Sequence, residues 1–390
     1  YLYDSKVPSR LSEFNKLLGN NYGYSKRVYV QSNGNRMGMD FLYGVKYFLG
    51  DDTKNGTTGS DQYAGYGFEP YEQIDGVNVF KNKYDSGLGF GYDKVISETE
   101  FGKLGRLARE QAVLQAMVLP DETCETIGEE FIANADDMAI DIDDIDYDIV
   151  ATDRVEFDGN SFSVENFAEE DTKPGFTIHV NGVKDSQMVV SFDNLIRYNL
   201  NGVEAGDFCI KARNNKLVAE ANNKKNNQTI GGIVDYDLNM GYYNNYDGNI
   251  KITITKPGTY TFDKLYVSAM STENYDKYAQ ARLESRYEIG QFDSNHVLGT
   301  VDAPSDGFMF FSIPSSKNWS VYVDGKKAEK LSKANITFMA VAIDKGIHQI
   351  ELKHAVQHKQ LATCASAVAV LLIIAMGVIS IRSRKRQRRN

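Results

Sequence analysis

The sequence predicts an α+β protein in four parts: a small α/β domain over residues 1–120, an all-β sandwich region of jelly-roll type over 121–358, one apolar helix over 359–381, and a basic tail over 382–390. Three observations predict it. Apolar residues recur at helical spacing in the first hundred or so residues, the period drops to two from Asp121 onward with frequent turn signals, and Leu361 to Ile381 holds no charged residue. With 390 residues and 42% hydrophobic content the chain can fill cores of this size, which excludes a disordered protein.

Within the first part, SRLSEFNKLLGN offers Ser9 or Ser12 as a helix cap, with Leu11, Phe14, Leu17 and Leu18 on one face and Gly19 as the stop. MDFLYGVKYFLGDD reads as a short helical approach to a strand at Tyr47 to Leu49, and GVNVFKNKY supplies another strand. GLGFGY, Gly87 to Tyr92, has the glycines of a phosphate loop but not the strand and helix that must flank one, so it reads as a turn. From Glu98 to Val118 the residues Phe101, Leu104, Leu107, Ala108, Leu114 and Met117 keep helical spacing, and one helix is expected to close the domain near Leu119-Pro120.

In the second part, strands are expected at Phe176 to Val180, Gln187 to Phe192, Phe208 to Ala212, Lys216 to Glu220, Ile250 to Thr255 and Tyr260 to Val267, with KPGTY as the turn of a hairpin between the last two. ENYDKYAQARLES interrupts them as a helix. Further on, WSVYV places Trp319, Val321 and Val323 on one face of a strand, and Asp324-Gly325 favours a tight type I′ turn. A second hairpin is expected from ITFMAVAI through Asp344-Lys345-Gly346 to IHQIELK, where His348, Ile350 and Leu352 share a face.

The run Leu361 to Ile381, at 1.5 Å per helical residue, matches a hydrocarbon core of ~30 Å and predicts a transmembrane helix. Six basic residues and no acid follow within the last nine, so the rest of the chain is more acidic than its overall net charge of −10. The positive-inside rule then makes the tail cytoplasmic and residues 1–358 extracytoplasmic at a cell membrane. Such a placement implies export, and because the sequence opens at Tyr1 an upstream segment is expected to have been removed. Cys124, Cys209 and Cys364 are odd in number and unpatterned, so no disulfide framework is inferred. The acidic balance argues against nucleic acid as a partner; the bilayer itself is the expected one.

Candidate chemistry is sparse. DDMAIDIDDIDYD, Asp136 to Asp148, lacks the glycine and terminal glutamate of a calcium loop and fits a solvated strand face. GYYNNYDGN offers Tyr242, Tyr243 and Tyr246 as a substrate-binding surface for sugar rings, with an apolar stacking face and neighbouring amides; the plainer reading is a polar hairpin loop whose tyrosines cover the end of the sandwich. The five histidines are scattered, and no HExxH, GxSxG or Walker loop occurs. No catalytic residue, metal or cofactor is expected in this chain.

FFSIPSSKNWSVYVDGKKAE, then ITFMAVAIDKGIHQIELKH, then an apolar helix, resembles the C-terminal end of the bacterial YfhO family of membrane proteins. LYGVKYFL and VFKNKYDSGLGFGY are similar to N-terminal segments of the same exported region, while about Asp121 to Arg286 matches only loosely. The resemblance implies a long polytopic protein similar to GT-C glycosyltransferases, using a polyprenyl-phosphate sugar to modify cell-wall polymers such as lipoteichoic acid. Its catalytic acid would lie in an early outer loop absent from this chain, leaving this portion to hold an acceptor glycan or to serve as structure. The alternative is a single-pass, membrane-anchored carbohydrate-binding or adhesion protein.

Overall fold

A computed structural model describes residues 2–3, 14–15, 17–19, 29–30, 34–51, 64–168, 171–223, 234–355 and 359–387. The chain is mostly β, in several sheets. Its spine is a pair of long antiparallel strands, Gly175–Asp193 and Tyr236–Ile254, at the centre of a seven-stranded sheet. Alternation along them buries Phe176 opposite Ile252 and Ile178 opposite Ile250, with Val180 and Ile254 buried as well. A four-stranded sheet built from Val155–Asp158, Ser161–Val164, Gly258–Thr261 and Ile196–Tyr198 covers that apolar face, and the two share one core. There the Phe162 and Tyr260 rings stack with centroids 4.9 Å apart. Each such side chain contributes about 1.5–3 kcal/mol by leaving water.

KPGTY carries the chain between these layers: Ile254 ends a strand of the large sheet and Gly258 begins one of the cover, so the expected hairpin is a crossover. Gly258 sits at φ +132°, where an added Cβ would lie 2.2 Å from the Tyr198 carbonyl. The single strand expected over Tyr260 to Val267 splits accordingly into Gly258–Thr261 and Lys264–Ser271, one in each layer.

The predicted helix forms over Thr272–Leu283, capped by Ser271, whose hydroxyl accepts from the Glu273 amide. Beyond it a second layered pair begins. Its five-stranded sheet contains Glu288–Asp293, His296–Ala303, Gly346–His354, Trp319–Val323 and Lys326–Lys327; its four-stranded partner contains Lys330–Ala334, Phe338–Ile343, Gly307–Pro314 and Gly89–Tyr92. Val297, Ile350 and Leu352 of the first meet Met309, Phe311 and Val341 of the second in a separate core. Residues beyond 120 thus build two layered pairs.

The Asp324-Gly325 turn is as expected, with φ of 50° and 77° and Val323 paired to Lys326. ITFMAVAI and IHQIELK do not pair, because Phe338–Ile343 lies in the four-stranded layer and Gly346–His354 in the five-stranded one. GLGFGY is a turn only in its first two residues, Gly87 and Leu88; Gly89–Tyr92 is an edge strand against Gly307–Pro314. Its glycines permit close approach, since a Cβ on Gly89 would lie 2.2 Å from the Phe310 carbonyl. That pairing crosses residue 120, as does the parallel pairing of Val95–Ser97 with Ile132–Ala133.

The single helix expected over Glu98 to Val118 is two, Glu98–Lys103 and Arg106–Ala112, broken where Leu104 and Gly105 turn extended; Met117–Leu119 is a parallel strand. Of the SRLSEFNKLLGN helix, residues 14–15 and 17–19 are described and the rest lies outside the described residues. At the other end Lys359–Gln387 is one helix of 29 residues, with Leu371, Ile373, Met376 and Ile379 exposed. Among the described residues no helix is long and apolar enough to cross a membrane; side chains along this one are described for residues 365–380.

Candidate functional site

Near the N-terminus, Tyr47–Asp51, Val77–Asn82 and Phe68–Ile74 form a three-stranded antiparallel sheet. Among the described residues little packs on one side of it, and Tyr47, Leu49, Tyr71 and Ile74 are 43–65% exposed. The Tyr47 and Tyr71 rings lie 5.7 Å apart. Lys46 stands 5.6 Å from the Tyr47 ring and Lys81 at the same distance from Tyr71.

Beside these rings opens a cleft of about 510 Å³, lined by Lys46, Glu69, Pro70, Tyr71, Lys81, Asn82, Lys83, Asp85, Leu283, Arg286 and Glu288. Four cations meet three carboxylates there, in a chain whose net charge is −10. Asp85, nearly buried, anchors the floor by pairing with Arg286 at 3.3 Å and Lys46 at 3.7 Å. Lys81 and Lys83 alternate along one chain segment and are both exposed, so their ammonium groups are open to an anion.

Lys83 links the cleft to an aromatic cluster. Its ammonium lies 4.6 Å from the Tyr84 ring and 5.1 Å from the Tyr66 ring. Tyr66 and Tyr84 both donate hydrogen bonds to Asp276, at 2.8 Å and 2.5 Å. Burial, reinforced by the bond to Asp276, pushes the Tyr66 hydroxyl up to about 12, and burial likewise raises Tyr84. Both therefore stay protonated donors at neutral pH. The Tyr66 ring in turn meets Tyr242 at 4.5 Å.

Of the three tyrosines that the sequence offers as a sugar surface, the structure brings only Tyr242 to this cluster. GYYNNYDGN is not a hairpin loop but the middle of the strand Tyr236–Ile254, so alternation separates Tyr242 from its neighbour. Tyr243 and Tyr246 face the core, 5% and 6% exposed, with their rings 4.5 Å from each other. The Tyr243 hydroxyl donates to Asn215 and that of Tyr246 to the Asn249 carbonyl. These two rings pack on protein and do not join Tyr242 in one platform. Tyr242 donates weakly to Asp185 at 3.4 Å, and burial raises its hydroxyl.

Lys46, Tyr71, Lys81, Lys83 and Arg286 were invisible as a group in the sequence, since they converge from separate segments. The one local signal was KNKY, whose alternating lysines place two like charges on one face.

Among solved structures, shape comparison finds a Paenibacillus cycloisomaltooligosaccharide glucanotransferase complexed with cycloisomaltoheptaose (6% identity, 53% of this chain, 45% of that one, TM-score 0.17). It also finds vicilin from Solanum lycopersicum (9% identity, 52% and 80%, TM-score 0.12). At those scores neither likeness supports any inference. In sequence, the chain is 24% identical over 338 residues to the uncharacterized protein YfhO of Bacillus subtilis strain 168, covering 85% of this chain and 35% of that protein. Residues 2–365 match the family model described as bacterial membrane protein YfhO, and the chain belongs to that family.

Proposed function

We propose that this chain is the acceptor-holding, extracytoplasmic portion of a polytopic, GT-C-like membrane glycosyltransferase, and that the cleft beside Tyr71 binds an anionic cell-wall glycan. The observation that carries this reading is the local excess of cations next to exposed aromatic rings in an acidic chain. Aromatic faces suit the C–H faces of sugars, and lysine and arginine suit the phosphates of a lipoteichoic-type polymer. Tyr66 and Tyr242 extend the same surface through Lys83. No residue of this chain is assigned to glycosyl transfer from the polyprenyl-phosphate sugar. That role belongs to the remainder of a protein of which the chain spans about a third of the B. subtilis relative's length.

In this reading the uncharged run 361–381 crosses the bilayer, residues 1–358 stand outside, and the arginine-rich tail is cytoplasmic. The two layered pairs of sheets are read as β-sandwiches that hold the N-terminal sheet away from the membrane.

Purified protein in detergent, titrated with lipoteichoic acid and with a neutral glycan as control, tests the assignment. Binding of the phosphate polymer is expected to weaken about tenfold, ~1.4 kcal/mol, in a Tyr71→Ala, Lys81→Ala variant and to fall with added salt. Equal binding by the variant and the parent overturns the cleft. Sugar transfer by this chain alone overturns the division of labour.

A further inference from the structure

The strand Gly346–His354 carries the five-stranded sheet to its last residue before the C-terminal helix, and two turns are tied to that end. The His354 amide donates to the Asn295 carbonyl at 2.8 Å, and the Ala355 amide to the Asn318 carbonyl at 2.9 Å. Trp319 pairs directly with His354 and sets its ring edge-on to the imidazole, 4.9 Å away. On the other side of Gly346–His354, register runs from Leu352 through Val297 to Phe292, two strands away. Phe292 lies on Glu288–Asp293, an edge strand exposed along its whole length, and is itself 67% exposed. Lys317 and Lys353 are exposed at the same end.

From Ala355 to the first helical residue, Lys359, the chain can reach no more than about 14 Å, and Leu361 opens the uncharged run one half-turn later. An apolar phenylalanine, a half-buried tryptophan and two lysines are therefore confined to the neighbourhood of the point where that run begins. Tryptophan is the side chain most at home where lipid headgroups meet acyl chains, and lysine ammonium groups there reach lipid phosphates.

We infer that this end of the five-stranded sheet rests in the interfacial zone of the bilayer, with Phe292 and Trp319 as its apolar contacts and Lys317 and Lys353 at the headgroups. The inference rests on the reading above that residues 361–381 cross the membrane. It adds a second point of attachment, which fixes the tilt of the sheet over the bilayer where a lone helix on a short linker would leave it free.

The chain has one tryptophan, so its own emission reports the contact. The full chain is placed in phosphatidylcholine vesicles and subjected first to alkaline washing and flotation, then to spin-labelled lipids carrying the quencher either at the headgroup or deep in the acyl chain. Retention after washing, with strong loss of Trp319 emission to the headgroup label and weaker loss to the deep one, is the expected result. A Phe292→Trp variant in a Trp319→Phe background is expected to show the same order. A retained chain whose tryptophan responds to neither label overturns the interfacial contact and leaves the helix reading standing; the sheet end then stands clear of lipid or is covered by protein. Stronger quenching by the deep label also overturns the placement. A chain released by the wash sinks both readings together.

Discussion

The large layered pair around Gly175–Asp193 and Tyr236–Ile254 and the N-terminal region docked against it differ in what supplements their apolar cores. The former has an apolar core, with Phe176, Ile210, Ile252 and Tyr260 meeting across the layers. The latter has an apolar core as well, around Phe41, Phe90, Phe101 and Leu119 and reaching Val189 and Met270 of the large sheet, and adds buried polar keys to it. Arg36 and Glu110 pair at 2.6 Å with both side chains 1% exposed, and the second Glu110 oxygen accepts from the Gly38 amide. Arg106 reaches from its short helix to Asp193 and Asp237 of the large sheet, and Asn239 donates to the carbonyls of Gly34 and Asn35. An apolar interface tolerates sliding because its attraction has no direction, whereas hydrogen-bonded charges fix one register. The N-terminal sheet, which carries the proposed cleft, thereby gains a defined position on the rest of the molecule.

The largest effect should come from breaking the buried pair. Glu110→Ala strands the Arg36 guanidinium and is expected to cost about 3–5 kcal/mol in urea unfolding, while replacing both partners together, Arg36→Met with Glu110→Leu, should recover most of it. Full recovery of ligand affinity by the double variant would show that the pair sets stability but not position. Next is Asn335→Ala, expected to cost about 1–3 kcal/mol. Asn335 is fully buried at φ 41°, and its side chain accepts from the Val118 amide at 2.8 Å, joining the second layered pair to the N-terminal region. Ile252→Val in the apolar core should cost only about 0.5–1.5 kcal/mol; a larger value would erase the contrast between the two regions.

The smallest effect is one of pH. Its hydrogen bond to Asp324, 2.8 Å long, raises His348 above the ordinary imidazole value, and the same bond lowers Asp324. The histidine contribution is complete below its unfolded pKa of ~6.5 and is lost as pH rises through the higher folded value; that of the carboxylate is present above ~3.9 and lost as pH falls through its lowered folded value. Melting temperature should therefore decline slightly as pH rises above about 6.5, and His348→Gln should flatten that slope.

Local chemistry explains what could be read in advance. Asp324-Gly325 needs nothing beyond its own dipeptide to demand positive φ at both positions, and the helix Thr272–Leu283 carries its own cap. Layer membership has no such local mark. Phe338–Ile343 and Gly346–His354 alternate and adjoin as hairpin strands do, yet distant partners, Gly307–Pro314 and His296–Ala303, draw them into opposite sheets. GYYNNYDGN looked like a loop because asparagine and glycine favour turns, but pairing with Gly175–Asp193, through two register shifts, holds it extended and turns Tyr243 and Tyr246 inward. Of the candidate surface only Tyr242 was readable, for the cations around the cleft come from three separated stretches.

One consequence follows from the strand Gly89–Tyr92. It is synthesised long before its partner, Gly307–Pro314, which follows about two hundred residues later. Until the two meet, the segment Phe308 to Phe311 offers an unpaired apolar edge to any neighbouring chain, the geometry from which intermolecular sheets grow. Removing the residues up to Tyr92 would make that transient hazard permanent and would also strip Phe41 and Phe90 from the core they share with Phe310, so the shortened chain should aggregate even though the cores of the two layered pairs remain encoded.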